Sequence, residues 1–259
     1  MKAHKSEKTM NDTMPTVLVT GAAGGIGKAI CEVFLEQGYK VIGVDCWKTS
    51  KLPYEVLQFD ISRLSQADAA CESFYHRVEE LAEGHLDALI NNAAIQIVKP
   101  IQEITATDWD VTLATNLLAP FWLVQRFLPI LRAAKGSVVN IASIHAIVTK
   151  PEFTAYATSK GALVALTRSL AIELAPDVRV NAVLPAATDT PMLRAGFKDN
   201  ADGLQVLADY HPLGHIARPE EVAQVALFLA GPQAGFMTGA MVNVDGGIGA
   251  CLHDPGVVR

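Results

Sequence analysis

The chain has 259 residues, half of them hydrophobic, which suits one large α/β domain with a substantial buried core. Its 21 Lys and Arg against 27 Asp and Glu leave a formal charge of −6, so nothing electrostatic favours nucleic acid or an anionic membrane as partner. No apolar run approaches the roughly 18–20 residues that span a bilayer.

Cys31, Cys46, Cys71 and Cys251 form no CxxC pair, and reduced thiols in a cytoplasmic protein are expected. The seven histidines make no HExxH or other ligand cluster, so no metal is expected. Residues 1–14 are polar, lack the apolar stretch of a signal peptide and read as a flexible tail; the sequon Asn11-Asp12-Thr13 within them reads as accidental.

In chain order, strands are predicted at 16–20 (TVLVT), 40–44, 55–59, 86–90, 137–141, 178–184 and 241–244. Helical patterns at 25–37, 66–83, 107–131, 155–175 and 219–230 fill the gaps. This alternation is that of βαβ units, and strands apolar throughout are those covered on both faces. The expectation is a single domain over 15–259, a doubly wound, seven-stranded parallel sheet of the Rossmann kind. Its ligand site should lie outside the carboxyl ends of the strands. Residues 186–218 mix Pro191, Gly196, Gly203, Pro212 and Gly214, and read either as a lid over the site or as a surface loop with a short helix. The tail after Gly247 either reaches a neighbouring subunit or frays.

Directly after the first strand stands Gly21-Ala22-Ala23-Gly24-Gly25-Ile26-Gly27, and then a helix begins. Missing Cβ atoms let backbone approach a pyrophosphate, and the helix start offers free N–H groups and a positive dipole end. Gly21, Gly25, Ile26 and Gly27 are therefore assigned to a dinucleotide. Asp45 closes the second strand, 18 residues after Gly27. An acid there accepts hydrogen bonds from ribose hydroxyls and repels a 2′-phosphate, so NAD is expected in preference to NADP. Asp60, followed by Ile61, is placed either to receive the adenine amino group or to cap the next helix.

Tyr156 and Lys160 lie four residues apart on a predicted helix and share a face. A phenol with a pKa of about 10 is a poor base near neutrality, and an adjacent ammonium favours its ionised form. Ser143 ends the strand SVVNIAS, where a hydroxyl can hold a substrate oxygen as its charge changes.

Taken together, TGAAGGIG, Asn91-Asn92-Ala93-Ala94, Asn116, Ser143 and Tyr156-Ala157-Thr158-Ser159-Lys160 resemble the short-chain dehydrogenase/reductase family over nearly all of residues 16–247. That resemblance implies hydride transfer between a nicotinamide and a secondary alcohol or its ketone, with Tyr156 as general acid/base. It further implies that Ser143 polarises the substrate oxygen and that Lys160 lowers the tyrosine pKa and holds the nicotinamide ribose. Asn116 would support a water that relays protons from Lys160. Asn92 and Ala93 would line the cofactor, and Pro185, Thr188 and Thr190 match the family's PGxxxT near the carboxamide and phosphates. Two departures stand out: Ala94 and Ala186 replace family glycines, and alanine at 186 would be strained if the turn needed a positive φ.

The substrate wall is expected from Gln96 and His145, with Lys150 and Glu152 read as solvated loop. Ser143-Ile144-His145 resembles the pattern of glucose dehydrogenase-like members, which implies a sugar, polyol or other small polar alcohol. The alternatives are a 3-oxoacyl-thioester reductase and a non-catalytic nucleotide-binding regulator. Small residues at 155, 157, 159, 161, 162 and 165 permit close helix approach, and a homotetramer or homodimer is expected on the resemblance.

Overall fold

Seven parallel strands are hydrogen-bonded in the order β3-β2-β1-β4-β5-β6-β7 in the computed structural model. They are β1 (Thr16–Thr20), β2 (Lys40–Asp45), β3 (Glu55–Gln58), β4 (Ala88–Asn91), β5 (Ser137–Ile141), β6 (Arg179–Pro185) and β7 (Met241–Val244). The structure describes residues 14–49, 51–197 and 200–252. Most of the predicted tail, its sequon and the last seven residues lie outside them. Strand order reverses between β1 and β4, which opens a crevice at their carboxyl ends.

Every residue of β1, β4 and β5 is buried, as expected where helices cover both faces. Successive side chains of β1 divide between two cores, Leu18 entering one, Val17 and Val19 the other. On the first face pack α2 (Ala69–Ala82), α4 (Ala119–Ala134) and α5 (Thr154–Leu174), through Phe74, Phe127 and Leu170. The second face takes α1 (Gly25–Glu36) and α8 (Pro219–Ala230), through Ile30, Phe34 and Val222. Burying a side chain such as Phe34 contributes about 1.5–3 kcal/mol.

Three segments differ from the periodicity reading. The pattern at 66–83 is a 3₁₀ turn (Ile61–Gln66), then α2; Ala67 in the left-handed region (φ 49°) separates them and Asp68 caps α2 at the Cys71 N–H. Residues 107–131 become α3 (Ala106–Leu113), a π-helical turn (Ala114–Leu118) and α4. This continuous helix, Ala106–Ala134, is long and apolar enough by length and composition to cross a membrane, although no unbroken apolar run of that length is present. Its charges are spaced among apolar residues, and Leu123, Val124, Phe127 and Leu131 lie in the core. The irregular stretch holds α6 (Pro191–Phe197) and α7 (Ala201–Asp209). Its ends meet where Ala217 pairs across Ala187–Asp189, so the excursion begins and returns at one place.

Candidate active site

The glycine turn is built by contacts that no side chain at those positions would permit. A Cβ on Gly27 would stand 1.9 Å from the Gly21 carbonyl oxygen, and one on Gly21 (φ +67°) would stand 2.9 Å from the Ala93 Cα. Gly25 is needed on its other side, where Thr190 Cγ2 would be 2.8 Å from a Cβ. The structure thus brings Thr190, at the start of the 186–218 excursion, against the turn. At Gly24 an added Cβ would meet nothing closer than 3.4 Å, and α1 begins there with no side-chain cap. Free N–H groups at an open, glycine-lined helix start fit a dinucleotide pyrophosphate.

Asp45 is nearly buried and ties this turn to β2: Oδ2 accepts from the Ala23 N–H (3.0 Å), Oδ1 from the Trp47 N–H (3.1 Å). A carboxylate has further lone pairs, so two ribose hydroxyls still find acceptors. Tyr54, which the sequence reading missed, adds a hydrogen bond from its hydroxyl to the Ala22 carbonyl (3.1 Å). Asp60 caps the 3₁₀ turn through the Ser62 N–H, one of its two anticipated roles, and the Ile61 side chain lies in the core. Asn92 is turned to the end of β1, where its amide donates to the Thr20 and Gly21 carbonyls; Ala93 N–H donates to the Thr20 hydroxyl. Pro185 closes β6, and Thr188 is buried with its hydroxyl on the Ala186 carbonyl. Neither Ala94 nor Ala186 has a positive φ, so both replace glycine without backbone strain.

Ser143, Tyr156 and Lys160 gather beyond the carboxyl end of β5, all nearly buried. Lys160 donates to the Ile141 carbonyl (2.8 Å), and its Nζ stands 5.7 Å from the Tyr156 ring centre. Burial pulls the ammonium down to about 7. Burial also pushes the Tyr156 phenol up, while a hydrogen bond with Ser143 pulls the other way. The expected lowering of the phenol by Lys160 is not what dominates in this structure. Asn116 sits in the π-helical turn with both amide donors taken, by the Ile95 carbonyl (3.0 Å) and Ser159 Oγ (3.0 Å). Its Oδ1 accepts from the Ile95 N–H (2.9 Å), so the amide fixes the loop after β4.

His145 lies beside the phenol, its ring 5.7 Å from that of Tyr156 and nearly perpendicular to it. Its Nδ1 pairs with Thr149 Oγ1 (2.9 Å), and burial together with the Lys150 charge pulls its pKa down to about 4. Phe153, another residue the sequence reading missed, stacks on that imidazole. Its position three residues before Tyr156 was the signal available. Gln96 is half-buried just beyond Ile95. A cavity of about 420 Å³ opens nearby, between β7, the base of the excursion and the start of α8, lined by Ala186, His211, Leu213, Glu221, Asn243 and Asp245. Ser143, Tyr156 and Lys160 do not line it. The side chains able to transfer a proton converge instead around the phenol.

A parallel sheet with a dinucleotide cradle at its switch point, and a serine, tyrosine and lysine beyond the next strand, defines a nucleotide-dependent oxidoreductase. A family model described as "Enoyl-(Acyl carrier protein) reductase" matches residues 21–249. The chain belongs to the short-chain dehydrogenase/reductase family, whose members act on CH–OH groups or ketones. It is 34% identical over 242 residues to the 3-oxoacyl-[acyl-carrier-protein] reductase FabG of Thermotoga maritima, covering 89% of this chain and 96% of that one. Among solved structures, ligand-free aldohexose dehydrogenase of Thermoplasma acidophilum superposes with a TM-score of 0.86 at 31% identity, over 93% of this chain and 97% of that one. The 3-ketoacyl-(acyl-carrier-protein) reductase of Brucella melitensis, complexed with NADH, gives 0.80 at 29%, over 91% and 98%.

Proposed function

We propose that this protein is an NAD-dependent oxidoreductase of a sugar, polyol or other small polar secondary alcohol, with Tyr156 as its general acid/base. The observation that carries the reading is the convergence of Ser143, Tyr156 and Lys160 beyond β5, beside a glycine turn closed by Asp45. Gly21, Gly24, Ile26, Asp45 and Thr190 would hold the dinucleotide, and the chemistry it supplies when bound is acceptance or donation of a hydride. Ser143 Oγ donates to the substrate oxygen and fixes its direction. Tyr156 Oη gives its proton to that oxygen in ketone reduction and takes it back in alcohol oxidation. Lys160, held at the Ile141 carbonyl, is the cation that steadies the phenolate.

Likeness to an aldohexose dehydrogenase supports the polar substrate, and so does the His145 imidazole beside the phenol. Asp45 supports NAD. Exposed apolar side chains on the outer elements, Leu118, Ile172 and Met241, support assembly as a homotetramer through α4, α5 and β7.

A screen of sugars, polyols and hydroxy acids with NAD, and with NADP in parallel, tests the reading. Tyr156→Phe should lower turnover by roughly 10²–10⁴-fold with NAD binding retained. A variant that keeps wild-type turnover removes Tyr156 from the mechanism. One observation favours a second reading, reduction of 3-oxoacyl thioesters: Val98, Ile101, Ile147, Val148, Met192 and Leu213 stand exposed on the loops that follow β4, β5 and β6. An acetoacetyl thioester turned over in preference to every polyol would establish it.

A further inference from the structure

Lys150, Phe153 and His145, on the segment between β5 and α5, form a continuous stack against Tyr156. The Lys150 ammonium lies 4.7 Å from the centre of the Phe153 ring. Phe153 lies face to face with His145, centres 4.5 Å apart and planes within 4°. Both rings then meet Tyr156 nearly at right angles, His145 at 5.7 Å and 78°, Phe153 at 6.2 Å and 81°. We propose that Lys150 and Phe153 are positioning residues: the ammonium clamps Phe153, Phe153 clamps the His145 ring, and the two rings set the plane of the Tyr156 phenol. The inference rests on the assignment of Tyr156 as the proton-transferring group.

Each contact has a physical reason to persist. A cation over an aromatic face and two offset rings are attractive, and edge-to-face aromatic pairs hold a preferred angle. Phe153 is buried immediately before α5, so its ring cannot swing out without exposing apolar surface. Thr149 Oγ1 holds the imidazole at Nδ1, and the His145 N–H donates to Ser143 Oγ (3.2 Å), so the histidine touches both the serine and the tyrosine of the site.

The stack also decides the charge of the substrate wall. The groups that bear on His145 are Lys150 from its own loop and the Tyr156 phenol from α5, with Lys160 beyond the phenol. The Lys150 charge and the lost hydration both disfavour a second positive charge, which agrees with a pKa pulled down to about 4. A neutral imidazole keeps one nitrogen as acceptor, whereas an imidazolium offers only donors. His145 therefore suits an uncharged hydroxylated substrate and gives no charge pairing to a carboxylate.

The test follows the His145 ring proton by NMR in the whole enzyme, assigned by its loss in His145→Asn. Wild type should show no titration of that signal above about pH 5. In Lys150→Glu the midpoint should rise by about one pH unit or more, because a repelling cation becomes an attracting anion. Lys150 is exposed, so Lys150→Glu should leave the fold intact, as unchanged circular dichroism would show; Phe153→Leu should raise the midpoint too and loosen the phenol. In turnover, the kcat/KM of Lys150→Glu relative to wild type should fall about twofold more at pH 5 than at pH 7. A wild-type midpoint near the ordinary histidine value, or one unmoved in Lys150→Glu, overturns the proposal. The NMR result needs no substrate, so it stands or falls apart from the assigned activity.

Discussion

Lys160 is a buried cation with one carbonyl partner, and its replacement by methionine should stabilise the protein in a pH-dependent way. The ammonium is 2% exposed, donates to the Ile141 carbonyl, and has its pKa pulled from 10.5 to about 7 by burial. Its proton is thus held more weakly in the folded than in the unfolded chain. The penalty is fully present below about pH 7 and disappears above the unfolded value of 10.5. Three to four pH units of displacement correspond to about 5 kcal/mol at pH 6, falling to about 2 kcal/mol at pH 9. Methionine fills similar space without charge, and the lost hydrogen bond subtracts about 1 kcal/mol at both pH values. Urea unfolding of wild type and Lys160→Met should give a variant more stable by several kcal/mol at pH 6, with the gap narrowing by about 2–3 kcal/mol at pH 9. Comparing the two proteins at each pH cancels every other titrating group. A gap that is equal at both pH values, or wider at pH 9, refutes the reasoning.

On the proposed reading of Asp45 as ribose acceptor, Asp45→Ala should weaken NAD binding and raise the NADP/NAD preference at least tenfold, by removing that acceptor and a charge that would oppose a 2′-phosphate; Kd values for both nucleotides measure this. Gly27→Ala should abolish folding or nucleotide binding, because its methyl would meet the Gly21 carbonyl oxygen at 1.9 Å and the Asn92 amide nitrogen at 2.6 Å; circular dichroism and NAD titration separate the two outcomes. Arg179→Met should cost about 3–5 kcal/mol and lower Tm by about 10 °C, because the guanidinium donates to the carbonyls of Leu229, Ala230, Gly231, Ala234 and Met237 at and beyond the end of α8. Calorimetry checks it.

What the chain order alone determined is the sheet, the glycine turn after its first strand and the shared helix face of Tyr156 and Lys160, because each depends on local spacing. Short, continuously apolar β-branched runs, glycines after a strand and an i,i+4 pair keep their meaning wherever the rest of the molecule lies. All seven strands fall within two residues of their predicted places. Helix starts and joins were harder: the Asp68 cap and the π-helical turn at Asn116 depend on what packs beside them. Only the tertiary structure decided how side chains at distant positions divide their hydrogen bonds. It turned the amide of Asn92 to β1 and filled that of Asn116 with Ile95 and Ser159. It also brought Thr190 onto Gly25 and built the Lys150–Phe153–His145 stack against Tyr156. Burial set the charges as well: a lysine displaced to about 7 and a histidine to about 4 owe those values to excluded water, which no spacing of residues records.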